Sequence, residues 1–458
     1  MGRKNRNKKT TQGNGASGST EEKCSQQPSA GGKEFDDYME IRDTVEKIRA
    51  IQKDVSLKPE KKDERFTKFI EWLQSKKVDT SCVEIGKFEG LGFGLKATKD
   101  LKEGEKFLTL PRDLMMTPKS AQDSCLGPFI EEDKILQVMP SVVLALHLLC
   151  ERRTDGSPWK PYLDILPDTY STPLYFTPEE IKTLKASPAQ SDCMSQYRNI
   201  ARQYAYFYKL FQSESVQQSL PLKNVFTYDD YRWAVSTVMT RQNQIPTSDG
   251  SKMTFALIPL WDMCNHCNGL ITTDFNLEQN CSECYSLRKY MKGDQNEHDR
   301  MAVKLGISKT DPLFEKKSEL LTRCGLLASR TFYLHTGELP VDSDLLVFLR
   351  IFQMDDETLE KYAGSNAAEL RDVLGDLDMV VSKETETKVW SYLETRTTLL
   401  LRGYDTSTEE DEELLKKTKL SPVERLCVQL RCCEKKILQS ASEFASHRKQ
   451  KLQADSTT

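Results

Sequence analysis

The sequence predicts an α+β protein: a small strand-rich segment set between helical stretches, with a helical C-terminal domain after it. Three observations carry this. Apolar residues recur at helical spacing near the start of the chain, glycine-rich alternating sequence replaces them between Val83 and Thr117, and from about Thr310 the helical pattern returns and holds. A chain of 458 residues is also too long for one ordinary core, so two or three folded units are expected.

Taken in order, residues 1 to 33 hold seven basic side chains (Arg3, Lys4, Arg6, Lys8, Lys9, Lys23, Lys33) among Gly, Ser, Thr, Asn and Gln, which is the composition of a disordered basic tail. Two amphipathic helices follow between 35 and 77, with Tyr38, Ile41, Val45 and Ile48 on one face and Phe66, Phe69, Ile70 and Leu73 on the next. Gly90, Gly92, Gly94 and Gly104, with Leu91, Phe93 and Leu95 alternating, then read as strand and turn. The run Val138 to Cys150 falls short of the ~20 residues a spanning helix needs and reads as a buried helix, with His147 as a satisfied core histidine. Tyr204, Phe207, Tyr208 and Phe211 keep helical spacing and read as core, not as a nucleotide platform. Ser421-Pro422-Val423-Glu424 opens the last helix with a capping box and proline in the first turn.

Composition excludes several functions. A formal net charge of -4 gives no global pull toward nucleic acid or anionic membrane. With 38% apolar and 29% charged residues the chain is expected to be soluble. Thirteen cysteines, an odd number, and an N-terminus without a secretory pattern point to reduced thiols in the cytoplasm, with the nucleus as a second compartment. None of the five histidines lies in a nucleophile-elbow or cysteine-protease context, so a hydrolase triad is set aside. Cys264-x-x-Cys267 and Cys281-x-x-Cys284 have zinc-like spacing, but the first pair follows an apolar strand and intracellular cysteines are commonly just buried, so no metal is expected.

Two polar strings remain. Arg241-Gln242-Asn243-Gln244 runs into Ile245-Pro246, and Pro259-Leu260-Trp261-Asp262-Met263-Cys264-Asn265-His266 follows a short loop later. Guanidinium, amide, carboxylate and imidazole groups beside apolar stretches suit a pocket for a charged small molecule, and equally a capped turn network. The segment Gly90 to Gly94 lacks the dinucleotide fingerprint and reads as a strand bend or a ligand loop.

These strings, together with Trp159 to Pro167, Thr172 to Phe176, Ala201 to Tyr208 and Met239 to Thr247, resemble the SET-domain methyltransferases of the Rubisco-methyltransferase-like class, and within it the branch that methylates a histidine of actin. The resemblance runs from about residue 35 to the end. It implies S-adenosylmethionine as methyl donor, actin as protein substrate, a SET β core with a helical insertion, and an all-helical C-terminal substrate-binding domain. In numbers, 1-34 would be tail, 35-80 N-terminal helices, 81-296 SET domain, 297-450 substrate-binding domain and 451-458 tail. By position the donor site would include Leu91, Gly92, Phe93, Arg241, Asp262, Met263, Cys264, Asn265 and His266, with Lys62 where the family has an arginine. Asn243 would bond the acceptor imidazole, and Ile258 and Trp261 would line its pocket. The family's active-site tyrosine, in a Tyr-Gly context, has no counterpart. About two dozen residues are missing at the Gln295/Asn296 junction, Tyr290 aligns before the gap, and no catalytic residue is assigned. That gap supports a rival expectation, a non-catalytic actin-binding scaffold. A lysine methyltransferase of the same class and a zinc-dependent binding module are the further alternatives.

Overall fold

The computed structural model describes residues 30–57, 64–88, 92–102, 104–213, 220–265, 273–276, 279–285, 299–417 and 419–454. Among them, nine strands form four small antiparallel sheets: β1 (Val83–Phe88) pairs β2 (Gly92–Ala97), β7 (Cys281–Tyr285) lies between β3 (Lys106–Pro111) and β6 (Thr273–Asn276), β4 (Gln242–Pro246) pairs β5 (Met253–Leu257), and β8 (Arg300–Gly306) pairs β9 (Ser329–His335). An isolated bridge from Met116 to Leu257 ties the chain beyond β3 to β5.

Helices surround these sheets for the reasons the pattern gave. The helix Pro140–Arg153 starts on proline and buries every side chain from Val142 to Cys150, while Val138 and Met139 lie outside it and are exposed. In Pro188–Gln212, Tyr204, Phe207 and Phe211 are buried, and Tyr208 is exposed at the rim of the stripe. The reciprocal bonds of the capping box form at Ser421 and Glu424, 2.8 and 3.1 Å long, at the start of the helix Pro422–Ala454.

Two apolar cores result. The first gathers residues between Tyr38 and Met263, and the second residues between Met301 and Ala445. The long final helix serves both, through Cys427 in the first and Ile437, Leu438, Ala441 and Ala445 in the second.

The structure departs from the sequence reading in three places. The first helix starts at Ala30, inside the stretch read as tail and in spite of Gly31 and Gly32 in its first turn, and the last runs to Ala454, with no glycine or proline between Val423 and that point. The C-terminal region read as all-helical opens on the antiparallel β8–β9 pair, whose strands are joined through the helix Phe314–Arg323, and Met301, Val303 and Leu305 alternate inward with period two. His147 is only half satisfied: Nε2 lies 3.2 Å from Ser120 Oγ, but Nδ1 is buried with no hydrogen-bond partner among the described residues.

Candidate active site

Two elements build the site. The helix Tyr228–Arg241 is capped by Thr227 and carries Asp229 and Asp230 in its first turn, with Arg241 in its last, the order the helix dipole favours. Arg241 therefore projects where the backbone turns extended into β4. The second element is the tight turn Trp261–Met263 after β5, entered through Leu260 at φ 69°, a left-handed conformation that costs a fully buried leucine about 1–3 kcal/mol. Backbone bonds of 3.0 Å from Asp262 to Ile258, Met263 to Leu260 and Cys264 to Trp261 hold it.

The two elements meet in an ion pair. Arg241 Nη1 stands 3.2 Å from Asp262 Oδ2 and also 3.2 Å from the Asp262 carbonyl oxygen. The carboxylate is fully buried and the guanidinium nearly so. Tyr162 donates its hydroxyl to the same Oδ2 at 2.7 Å. The other oxygen, Oδ1, is buried with no partner among the described residues. Tyr170 completes the cluster, its hydroxyl 2.9 Å from Thr237 Oγ1 and within reach of Arg241.

Burial dominates the ionisation of this group. It pushes the Asp262 carboxyl up, against the pull of Arg241 and Tyr162. It raises the Tyr162 hydroxyl and pushes that of Tyr170 to about 12. Burial works to lower Arg241 too, but the Asp262 carboxylate and the two tyrosines win, and the guanidinium stays charged. A fixed positive charge in a low-dielectric setting, beside a buried acceptor with a vacant lone pair, suits an amino acid's carboxylate and a neighbouring N–H or O–H.

The glycine strand faces the turn. At Gly92, φ is +80°, and at Gly94 a side chain's Cβ would lie 2.8 to 3.0 Å from the Asn265 amide, so only glycine lets the turn approach this closely. Phe93 is half exposed, its ring 4.6 Å from that of Phe66 on the helix Arg65–Ser75, with Arg65 over both rings.

Of the residues expected in the site, Arg241 and Asp262 pair and Asn265 meets the glycine strand at Gly94, while Gly92 and Phe93 lie further along that strand with nothing within 4 Å of a Cβ placed at Gly92. Met263 is core, and Cys264 is exposed beside Asn265. Asn243, in β4 opposite Ala256, donates Nδ2 to the Arg241 carbonyl at 3.1 Å, and its Oδ1 makes no hydrogen bond among the described residues. Ile258 is buried in the core and Trp261 is half-buried at its rim. Lys62, Leu91, His266, Tyr290 and the Gln295/Asn296 junction lie outside the described residues. Of the zinc-like cysteines, Cys264 is exposed and Cys281 buried in β7, Cys267 lies outside the described residues, and no cluster of three or more ligands occurs among those described.

Tyr162 and Tyr170 were not among the residues expected in the site, and Gly94 was read only as part of a strand bend or ligand loop. Nor did the sequence reading single out Arg112, which reaches from the end of β3 to Asn280 Oδ1 at 2.6 Å and to the Pro246 carbonyl, and covers the Phe275 ring at 4.7 Å, tying the β3–β7–β6 sheet to β4 of the β4–β5 pair.

Residues 308–438 match the Rubisco LSMT substrate-binding family. The chain is 46% identical over 478 aligned positions to an actin-histidine N-methyltransferase of Danio rerio, covering 96% of this chain and 80% of that protein. It is 44% identical to that of Mus musculus, covering 97% and 81%. The chain belongs to the actin-histidine N-methyltransferase family. Among solved structures, the SET domain of LSMT bound to lysine and AdoHcy superposes with a TM-score of 0.69 at 21% identity, over 86% of this chain and 93% of that one. Rubisco LSMT bound to AdoMet gives 0.67 at 22% identity, over the same shares. The SET fold is thereby shared. One difference from the family is measurable: the 478 positions aligned with the Danio rerio protein exceed the chain's own 458 residues, so at least twenty positions of that relative have no counterpart here.

Proposed function

We propose that the chain transfers a methyl group from S-adenosylmethionine to a histidine of actin. The observation that carries the proposal is the buried Arg241–Asp262 pair on the turn whose continuation sets Asn265 against the bare backbone of Gly94, in a chain 46% identical to an actin-histidine N-methyltransferase. The residues fit the donor: Arg241 would hold its carboxylate, the orphaned Asp262 Oδ1 would accept from a donor N–H or O–H, and the strand Gly92–Gly94 would lie along it. When bound, S-adenosylmethionine supplies an electrophilic methyl carbon on a sulfonium.

The chain's own task is orientation. With an ordinary pKa of ~6.5 an imidazole is mostly neutral at pH 7 and already nucleophilic, so no strong base is needed. The tautomer must be chosen. Asn243 keeps Nδ2 on the Arg241 carbonyl, which leaves Oδ1 to accept the imidazole N–H and expose the other nitrogen as nucleophile. Ile258 and Trp261 would wall the ring. We assign 81-296 to the SET domain and 297-450 to the substrate-binding domain, supported by the two separate cores and by the match at 308–438. The odd cysteine count supports a reducing compartment, the cytoplasm or the nucleus.

A second reading has its own observation. The positions of the Danio rerio relative without a counterpart here, and the absence of a tyrosine in the Tyr-Gly context that the sequence resemblance implies, favour a chain that grips actin without methylating it. Incubating the full chain with unmethylated actin and methyl-labelled S-adenosylmethionine, then locating label by peptide mass spectrometry, separates the two. Label on a histidine supports the enzyme. Co-sedimentation with actin and no label supports the scaffold, and label on lysine alone refutes the histidine assignment.

A further inference from the structure

Tyr162 lies outside every set of residues discussed so far as contacting donor or acceptor, yet it is the most deeply placed group in the cluster. Its side chain is fully buried on the short helix Lys160–Ile165, and its hydroxyl donates to the Asp262 carboxylate, its one hydrogen-bond partner among the described residues. The ring sits against Phe69 at 6.4 Å, and Phe69 stacks on Trp72 at 5.9 Å. The helix that seats Tyr162 also places Phe66 against Phe93, so one helix braces both the glycine strand and the anchor of the turn.

An arginine and a carboxylate left to themselves tend to pair in a two-pronged fork. Here no fork forms among the described residues: Nη1 stands 3.2 Å from Oδ2, and Oδ1, although buried, has no hydrogen-bond partner among them. The Tyr162 hydroxyl accounts for this. By donating to Oδ2 at 2.7 Å it fixes the rotation of the carboxyl group, and with it the direction in which Oδ1 points and how far Arg241 folds back onto Asp262. Without that donor the carboxylate is free to rotate into a fork with Arg241. The guanidinium would then be spent on the protein and the vacant oxygen used up.

We infer that Tyr162 is a positioning residue for the methyl donor, acting through Asp262 to keep Arg241 and the free carboxylate oxygen available to the ligand. The inference rests on the donor-binding reading above. It is tested by calorimetric titration of S-adenosylmethionine into the full chain carrying Tyr162→Phe, Asp262→Asn or both. Phenylalanine keeps the packed ring and removes only the hydroxyl.

The expected result is a loss of affinity of about tenfold for Tyr162→Phe. The double variant should bind no more weakly than the weaker single one, because both changes act through the same carboxylate. p-Aminophenylalanine at position 162, which returns an N–H donor to the same ring, should restore binding. That rescue is a readout that ring packing alone would not move, and it also serves if Tyr162→Phe folds poorly. Wild-type affinity in Tyr162→Phe, losses that multiply in the double variant, or no recovery with the amino analogue would each overturn the inference. A wild-type chain that takes up no donor would instead defeat the donor-binding reading itself, and this inference with it.

Discussion

His147 stands in the middle of the buried helix Pro140–Arg153, 2% exposed, with Ser120 on one ring nitrogen and no hydrogen-bond partner among the described residues on the other. The Glu151 carboxylate is 3.9 Å away, too far for a hydrogen bond. Burial lowers the imidazole from 6.5 to about 4, so the fold accepts only its neutral form. The sign follows: between those two values the unfolded chain binds a proton that the native one refuses, and stability falls as pH drops from 6.5 toward 4. The full effect is about 3 kcal/mol. His147→Gln keeps a polar group near Ser120 without the titration, and should flatten this acid limb in urea unfolding measured across that range. An unchanged limb would show that other groups cause it. That His147 is core was legible from its apolar neighbours. Its bare nitrogen was not, since hydrogen-bond satisfaction depends on what another segment brings.

Between β2 and the turn Trp261–Met263, the decisive property is closeness. Gly94→Ala would put a methyl group 2.8 to 3.0 Å from the Asn265 amide and push it aside, while the strand itself should tolerate or slightly favour alanine. We expect donor affinity to fall about tenfold, roughly 1.4 kcal/mol, with the melting temperature of the ligand-free chain held or raised. Gly92→Ala makes the contrast. Nothing lies within 4 Å of its added carbon, but φ of +80° strains it, so stability should fall by about 1–2 kcal/mol, read by the same melting experiment. Equal behaviour of the two variants would contradict this division of roles. Glycine's presence in this strand was plain in the sequence, but its reason was not, because Asn265 lies 171 positions further along. The same holds for Tyr162 and Asp262, one hundred positions apart. The β8–β9 pair is a different case: Met301, Val303 and Leu305 do alternate, and a short period-two run beside long helical stretches is easily absorbed into them.

Over the whole molecule, the long periodic segments were the most legible, and the two cores they form are joined by buried charge. Asp411 takes Arg431 and Lys435 together, and Arg431 Nη1 reaches the Thr183 carbonyl at 3.0 Å. Glu434 accepts from Ser187 and Tyr404, each at 2.9 Å. The final helix thus fastens the C-terminal core to the helical part of the first, and no local pattern marks Arg431, Glu434 or Lys435 for that work. Calorimetric titration of S-adenosylmethionine into the folded full chain, beside an Arg241→Met variant of equal helical content, tests donor capture most directly. The expected result is one donor bound per chain, with uptake lost when Arg241 is replaced. No uptake by the folded wild-type chain, or equal uptake by both, would contradict it.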